Sequence, residues 1–315
     1  MNFNTKITIP AAINLINYDS KIVLLGSCFA STIGEKFAYF KFQHTINPFG
    51  IIFNPISIEK LIERAINKLE FNDTDVFFHN ELWHCYEVHS ELSESDKEVF
   101  LIKLNHLLHY FRIQIEEASH IIITYGTSWI YKLKSSNEIV ANCHKAAQNQ
   151  FDKEIISVES IEKSIQKTCD LIQKVNPKCS IVFTISPVRH IKDGFIENQQ
   201  SKAHLISAIH SPNFQLPTSS YFPSYEIMMD ELRDYRFYAD DMLHPNQTAI
   251  NYIWERFFET QIHEEIYPIM EEVGTIQKGL SHKPFHPYSE SHQKFLANLN
   301  QKIDTLATQF PHIQF

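Results

Sequence analysis

Three short apolar runs, Ile22-Val23-Leu24-Leu25, Ile121-Ile122-Ile123 and Ile181-Val182-Phe183, constrain the fold of this chain more than any other feature. Each stops at a turn signal just beyond it: Gly26, Gly126 and Ser186-Pro187. Apolar runs without alternation mark strands covered on both faces, as in parallel sheets. Helical spacing fills the intervals. Ile33, Phe37 and Phe40 share a face after Gly26-Ser27, and Ile58, Leu61, Ile62, Ala65, Ile66 and Leu69 form a stripe behind Asn54-Pro55. Further helices are expected over 95–115, 161–175, 201–209, 247–258 and 289–308, a further strand within 221–228, and an inserted hairpin near 75–90. Strands alternating with helices predict an α/β fold whose parallel sheet is covered on both faces. One domain over 1–264 with a C-terminal extension over 265–315 fits this pattern. In such sheets the ligand site lies beyond the carboxyl ends of the strands, where Gly26-Ser27, Gly126-Thr127-Ser128 and Ser186-Pro187 all fall.

Composition narrows the function classes. The 315 residues are 43% hydrophobic and 21% charged, as in an ordinary globular protein. The formal net charge is -9 and no Lys/Arg cluster occurs, which argues against nucleic acid and anionic membrane as partners. The five cysteines, Cys28, Cys85, Cys143, Cys169 and Cys179, include no CxxC pair, so neither a disulfide framework nor a zinc ribbon is expected. Met1-Asn2-Phe3-Asn4-Thr5-Lys6 lacks a basic region followed by an apolar core, so the expected location is cytoplasmic. No apolar run is long enough to span a bilayer. Of 17 His, the pair His282 and His286 is separated by Pro284, and no HExxH or comparable ligand spacing appears, so no metal and no cofactor are expected. Oligomeric state is left open.

Two segments carry chemistry. Ser27 follows a strand and opens a helix. Its plain structural role is an N-cap, and its functional role would be a nucleophilic hydroxyl exposed at a strand end. Asp241-Met242-Leu243-His244-Pro245-Asn246 precedes the last core helix. A carboxylate three residues before a histidine can bond its Nδ1–H and leave Nε2 to act as a base. Cys28 is the rival nucleophile, but neighbouring residues at such a turn point in different directions, and a Cys beside a strand is usually apolar filler. On the residues alone, Ser27 stays open between helix cap and nucleophile.

Gly26-Ser27-Cys28-Phe29-Ala30 resembles the motif that names the GSCFA family, within the SGNH/GDSL hydrolase superfamily. The likeness extends through Asn47-Pro48-Phe49-Gly50, Gly126-Thr127-Ser128-Trp129, Asn142-Cys143-His144-Lys145, Ser186-Pro187-Val188-Arg189-His190 and Asp241-x-x-His244-Pro245-Asn246. It implies a flavodoxin-like three-layer α/β/α sandwich and an acyl-ester hydrolase acting on a small-molecule or carbohydrate ester, an O-acetyl sugar included. It also implies Ser27 as nucleophile, His244 as base and Asp241 as its partner, with an oxyanion hole from the N–H groups of Ser27 and Gly50. The usual third-block asparagine is replaced here by Ser128, so Ser128 or Asn142 would supply the third donor, with Arg189 positioning substrate. That departure motivates a rival reading as a non-catalytic binding protein of the same fold; a metal-dependent hydrolase is the third.

Overall fold

The computed structural model describes residues 5–212 and 219–315. The first apolar run is strand β1 (Lys21–Gly26), followed by helix α1 (Cys28–Tyr39), strand β2 (Gln43–Ile46) and helix α2 (Pro55–Ile66). The hairpin expected near 75–90 is the antiparallel pair β3 (Val76–His79) and β4 (Leu82–Cys85). Asn80 and Glu81 turn it with φ of 46° and 65°, the left-handed values that two-residue hairpin turns require. Helix α3 (Lys97–Glu117) leads to β5 (His120–Tyr125). A small antiparallel sheet follows, made of β6 (Trp129–Leu133), β7 (Glu138–Val140) and β8 (Phe151–Ile155) in the order β7-β6-β8. Helix α4 (Val158–Val175), β9 (Ser180–Ile185), α5 (Phe195–Ile209) and β10 (Ser219–Phe222) complete the central unit.

The strand expected within 221–228 is corrected: only Ser219–Phe222 is extended. The chain then winds into the single turn α6 (Ser224–Glu226) and a π-helical turn over Ile227–Leu232, which bury Ile227 and Met228. Helices α7 (Gln247–Gln261), α8 (Tyr267–Ser281) and α9 (Glu290–Gln309) close the chain. No helix among the described residues is long and apolar enough to cross a membrane.

The central sheet is parallel throughout, in the order β10-β9-β5-β1-β2. Its strands alternate between two apolar layers. Val23, Leu25, Ile121, Ile123, Ile181 and Phe183 face the layer that contains α2, α3, α4 and α5. Ile22, Leu24, Ile122 and Val182 face the layer built by α1, α7, α8 and α9. This is a three-layer α/β/α sandwich, and the extension joins it: Met270, Val273, Ile276, Leu299 and Leu306 pack in the same cluster as Phe37 and Trp254. Counting sheet strands in chain order, the arrangement is 2-1-3-4-5, so the connection reverses direction between β1 and β5. A crevice is expected at the carboxyl ends of those two strands.

Candidate active site

At that crevice β1 ends on Gly26, with φ of 125°, and a Cβ placed there would lie 2.1 Å from the Thr124 carbonyl oxygen. Only glycine lets the two strands run this close. The turn is pinned by Asn47, whose Oδ1 accepts the Gly26 N–H (2.8 Å) and whose Nδ2 donates to Ser31 Oγ (2.9 Å). Ser27 comes next. It is fully buried, its N–H donates to Thr124 O (3.0 Å), and its Oγ accepts the Phe29 N–H (3.3 Å) as the N-cap of α1.

The next residue faces the other way. Cys28 Sγ lies 3.7 Å from His244 Nε2, and His244 Nδ1 lies 2.6 Å from Asp241 Oδ2. Asp241 Oδ1 also accepts the backbone N–H groups of Leu243 (2.9 Å) and His244 (3.0 Å), a tight loop made possible by Met242 at φ 59°. The expected base and its carboxylate partner therefore come together, but the group they face is a thiol. The assignment of Ser27 as the group facing His244 is corrected to Cys28. The physical reason is local: a serine that caps a helix turns its oxygen back onto the helix N–H groups, whereas the first helical residue projects onto the rim.

The other expected site residues are placed differently from one another. Gly50 spends its N–H on Asn47 O (2.8 Å), and at φ 76° a Cβ there would strike His89 Cβ at 2.3 Å, so it serves the turn and not an oxyanion. Ser128 is fully buried; its Oγ donates to Ser201 O (3.1 Å) and its N–H to Ser201 Oγ (2.8 Å), which fastens β6 to α5. Arg189 donates to the Tyr235 hydroxyl (3.2 Å), lies over the Tyr238 ring (4.3 Å) and bonds Leu243 O through its backbone N–H (3.2 Å). It braces the loop that carries His244. Asn142 does reach a cavity, with its Oδ1 taken by the His144 N–H (2.8 Å).

That cavity, of about 330 Å³, is walled by Phe53, Trp129, Tyr131, Cys143 and His190. It adjoins the crevice, because the N–H groups of Gly126 and Thr127 both bond Phe53 O, and Gly126 abuts Ser27. Asn54 also lines it. Its Oδ1 accepts the Ser57 N–H (2.8 Å), and its Nδ2 has no acceptor among the described residues. Donors near the thiol are the first N–H groups of α1: those of Cys28 and Phe29 both act on the sulfur.

Burial raises the Cys28 thiol above its ordinary value, against the charge of Lys202 and the two helix N–H groups, while Asp241 raises it further. The resting sulfur is thus a protonated thiol that needs a base. Asp241 is held down to about 2 by the His244 and Leu243 N–H groups and the imidazole, so it is a carboxylate across the working range. Burial lowers His190 to about 3 and Lys202 to about 7. Lys202, Asn54 and the Cys28 assignment are what sequence reasoning missed. Lys202 carried a signal: on α5 it sits in register with Asn198, Ser201, Leu205, Ala208 and Ile209, all buried.

Among the described residues no three His, Cys, Asp or Glu side chains gather as a metal site. No curated protein matches the chain in sequence. The model of the GSCFA family matches residues 21–257, about three-quarters of the chain, and the model described as the GSCFA domain protein C-terminal domain matches residues 273–315. The chain that presents Cys28 to His244 and Asp241 belongs to the GSCFA family.

Proposed function

We propose that this protein is an acyl-ester hydrolase of SGNH/GDSL type that uses a Cys28–His244–Asp241 triad. The observation that carries the reading is the relay of contacts from Cys28 Sγ through both imidazole nitrogens to Asp241. The 2-1-3-4-5 sheet, a nucleophile after the first strand and a histidine before α7 support the superfamily placement. His244 Nε2 removes the Sγ proton as sulfur attacks the ester carbonyl carbon, and Asp241 stabilises the imidazolium. In this reading the oxyanion is assigned to the N–H of Cys28 and to the Nδ2 of Asn54, whose Oδ1 is already taken by the Ser57 N–H. Collapse breaks the carbon–oxygen bond, the alkoxide takes the proton from His244, and a thioester remains on Cys28. Water, deprotonated by His244, then adds to the thioester carbonyl and releases the acid, returning the proton to sulfur. The aromatic and amide walls of the cavity suit an alcohol leaving group that carries hydroxyls, including an O-acetylated sugar.

Turnover of p-nitrophenyl acetate and mass spectrometry of the trapped adduct test this. Wild type should hydrolyse the ester and carry its acetyl group on the Cys28 peptide sulfur. Cys28→Ala should abolish both. Ser27→Ala should retain turnover while losing about 1 kcal/mol of stability with its cap. An adduct on Ser27, or full activity in Cys28→Ala, contradicts the reading. A non-catalytic binding role is the second reading, favoured by the commitment of Gly50 N–H and Ser128 Oγ to structural bonds. It requires no adduct and no turnover in folded wild type.

A further inference from the structure

Lys202 is 1% exposed on a helix that otherwise buries apolar and small residues. Its Nζ donates to Gly126 O and to Ser186 O, both at 2.7 Å. Those carbonyls belong to the residues just past β5 and β9, so the ammonium ties the carboxyl ends of these strands together on the β5 side of the crevice, with the Tyr225 ring 5.5 Å away. Among the described residues no carboxylate lies within ion-pair distance of it, although Arg64, Arg256 and Lys167 all have such partners. An unpaired buried ammonium is costly, and two carbonyl oxygens only partly offset the lost hydration. A fold that needed only a tie between two loops could use an uncharged donor here. Gly126 also packs on Ser27, one residue from the sulfur.

We propose that Lys202 is the buried cation that stabilises the Cys28 thiolate, a positioning residue that acts through the field and not by contact. The inference rests on the reading of Cys28 as nucleophile. The charged and titratable groups around the pair are few. Asp241 opposes the thiolate and is hydrogen-bonded to His244, and His190, held neutral by burial, feels both Lys202 and His244. Lys202 and the thiol act on each other reciprocally, the lysine favouring thiolate and the thiolate favouring ammonium. Burial brings the lysine to about 7, so near neutrality its charge depends on whether the thiolate has formed. The two ionisations are therefore linked: the proton that leaves sulfur goes to His244, and Lys202 holds its own more firmly as it does so.

The test is the pH dependence of Cys28 alkylation by iodoacetamide in the full chain. Lys202→Gln keeps two N–H donors for the carbonyls and removes the charge; Lys202→Met removes both. Each should move the alkylation inflection up by about one pH unit and slow the reaction at pH 7 about tenfold. A residue that merely tied Gly126 to Ser186 would change stability and leave the inflection in place. A second measurement needs no variant: the titration of Lys202 Nζ followed by ¹⁵N NMR in wild type should fall once Cys28 is capped with methyl methanethiosulfonate. An unmoved inflection in a folded variant, an unmoved lysine titration, or a Cys28 that does not alkylate overturns the pairing. A shifted inflection without ester turnover supports the pairing and contradicts the hydrolase reading alone.

Discussion

A single step along the chain decides which atom faces the imidazole. Ser27 and Cys28 straddle the start of α1, and the cap takes the first side chain inward while the second is left on the rim. The Asp241–His244 pair was legible in the sequence because both partners lie three residues apart in one loop, where local geometry suffices. The group that faces His244 was not, because its identity turns on the direction of two adjacent side chains. The preference of serine for N-caps was the clue that pointed away from Ser27. Asp241 predicts a separation of two measurements. Asp241→Asn loses the carboxylate that orients His244 and steadies the imidazolium, so kcat should fall by about 10²–10⁴-fold. The same change removes a charge that opposes the thiolate, so the alkylation inflection of Cys28 should move down. Steady-state kinetics and alkylation on the same preparation check both; parallel losses would count against the assigned roles.

At the scale of elements, the sheet strands with continuous apolar runs and most striped helices were legible. Helix α8 was not expected although it buries Met270, Val273 and Ile276, and strands with little apolar content were missed. β2 reads Gln43-His44-Thr45-Ile46 and β8 reads Phe151-Asp152-Lys153-Glu154-Ile155, sequences with too little apolar content to signal extension. Their strand form comes from pairing with β1 and β6. Lys202 shows the same limit from the other side: its register on α5 marks a buried position, but only the meeting of two strand ends shows what it bonds. The close approach of β1 and β5 also sets the tolerance of the site. Gly26→Ala would drive a methyl group into the Thr124 carbonyl at a backbone angle that side chains avoid, at a cost of about 2 kcal/mol or more. Urea denaturation should show that loss, with Cys28 alkylation at pH 7 altered as the turn shifts.

For the molecule as a whole, the sheet order makes the crevice and two apolar layers hold it. The missed strand β2 matters most here, since without it β1 would be an edge and no reversal would exist beside it. Stability also depends on histidines far apart in the chain. Burial holds His144 at about 4 and His190 at about 3, each neutral when folded, while an unfolded chain would protonate them below about 6.5. The unfolded state then binds more protons between that point and the folded values, so stability is unaffected above about 6.5, is lost as pH falls from there toward the folded values, and levels off below them. His144 fits this state in detail: its Nε2 meets the Cys85 carbonyl at 2.7 Å, and its buried Nδ1 has no hydrogen-bond partner among the described residues. The urea midpoint should therefore decline steadily between about pH 6.5 and pH 4, and a flat profile would exclude these residues as the cause.

The half-buried sulfur on the rim of α1 carries a liability that an oxygen nucleophile in its place would not have. Peroxide can convert an accessible thiolate to a sulfenic acid with release of water, and a small thiol can reverse the change. By drawing the thiolate out, the buried ammonium beside the crevice raises that susceptibility together with the reactivity. Under the proposed mechanism, a protein arranged in this way would transfer acyl groups only while its sulfur stays reduced, and its turnover would report on the oxidant level around it.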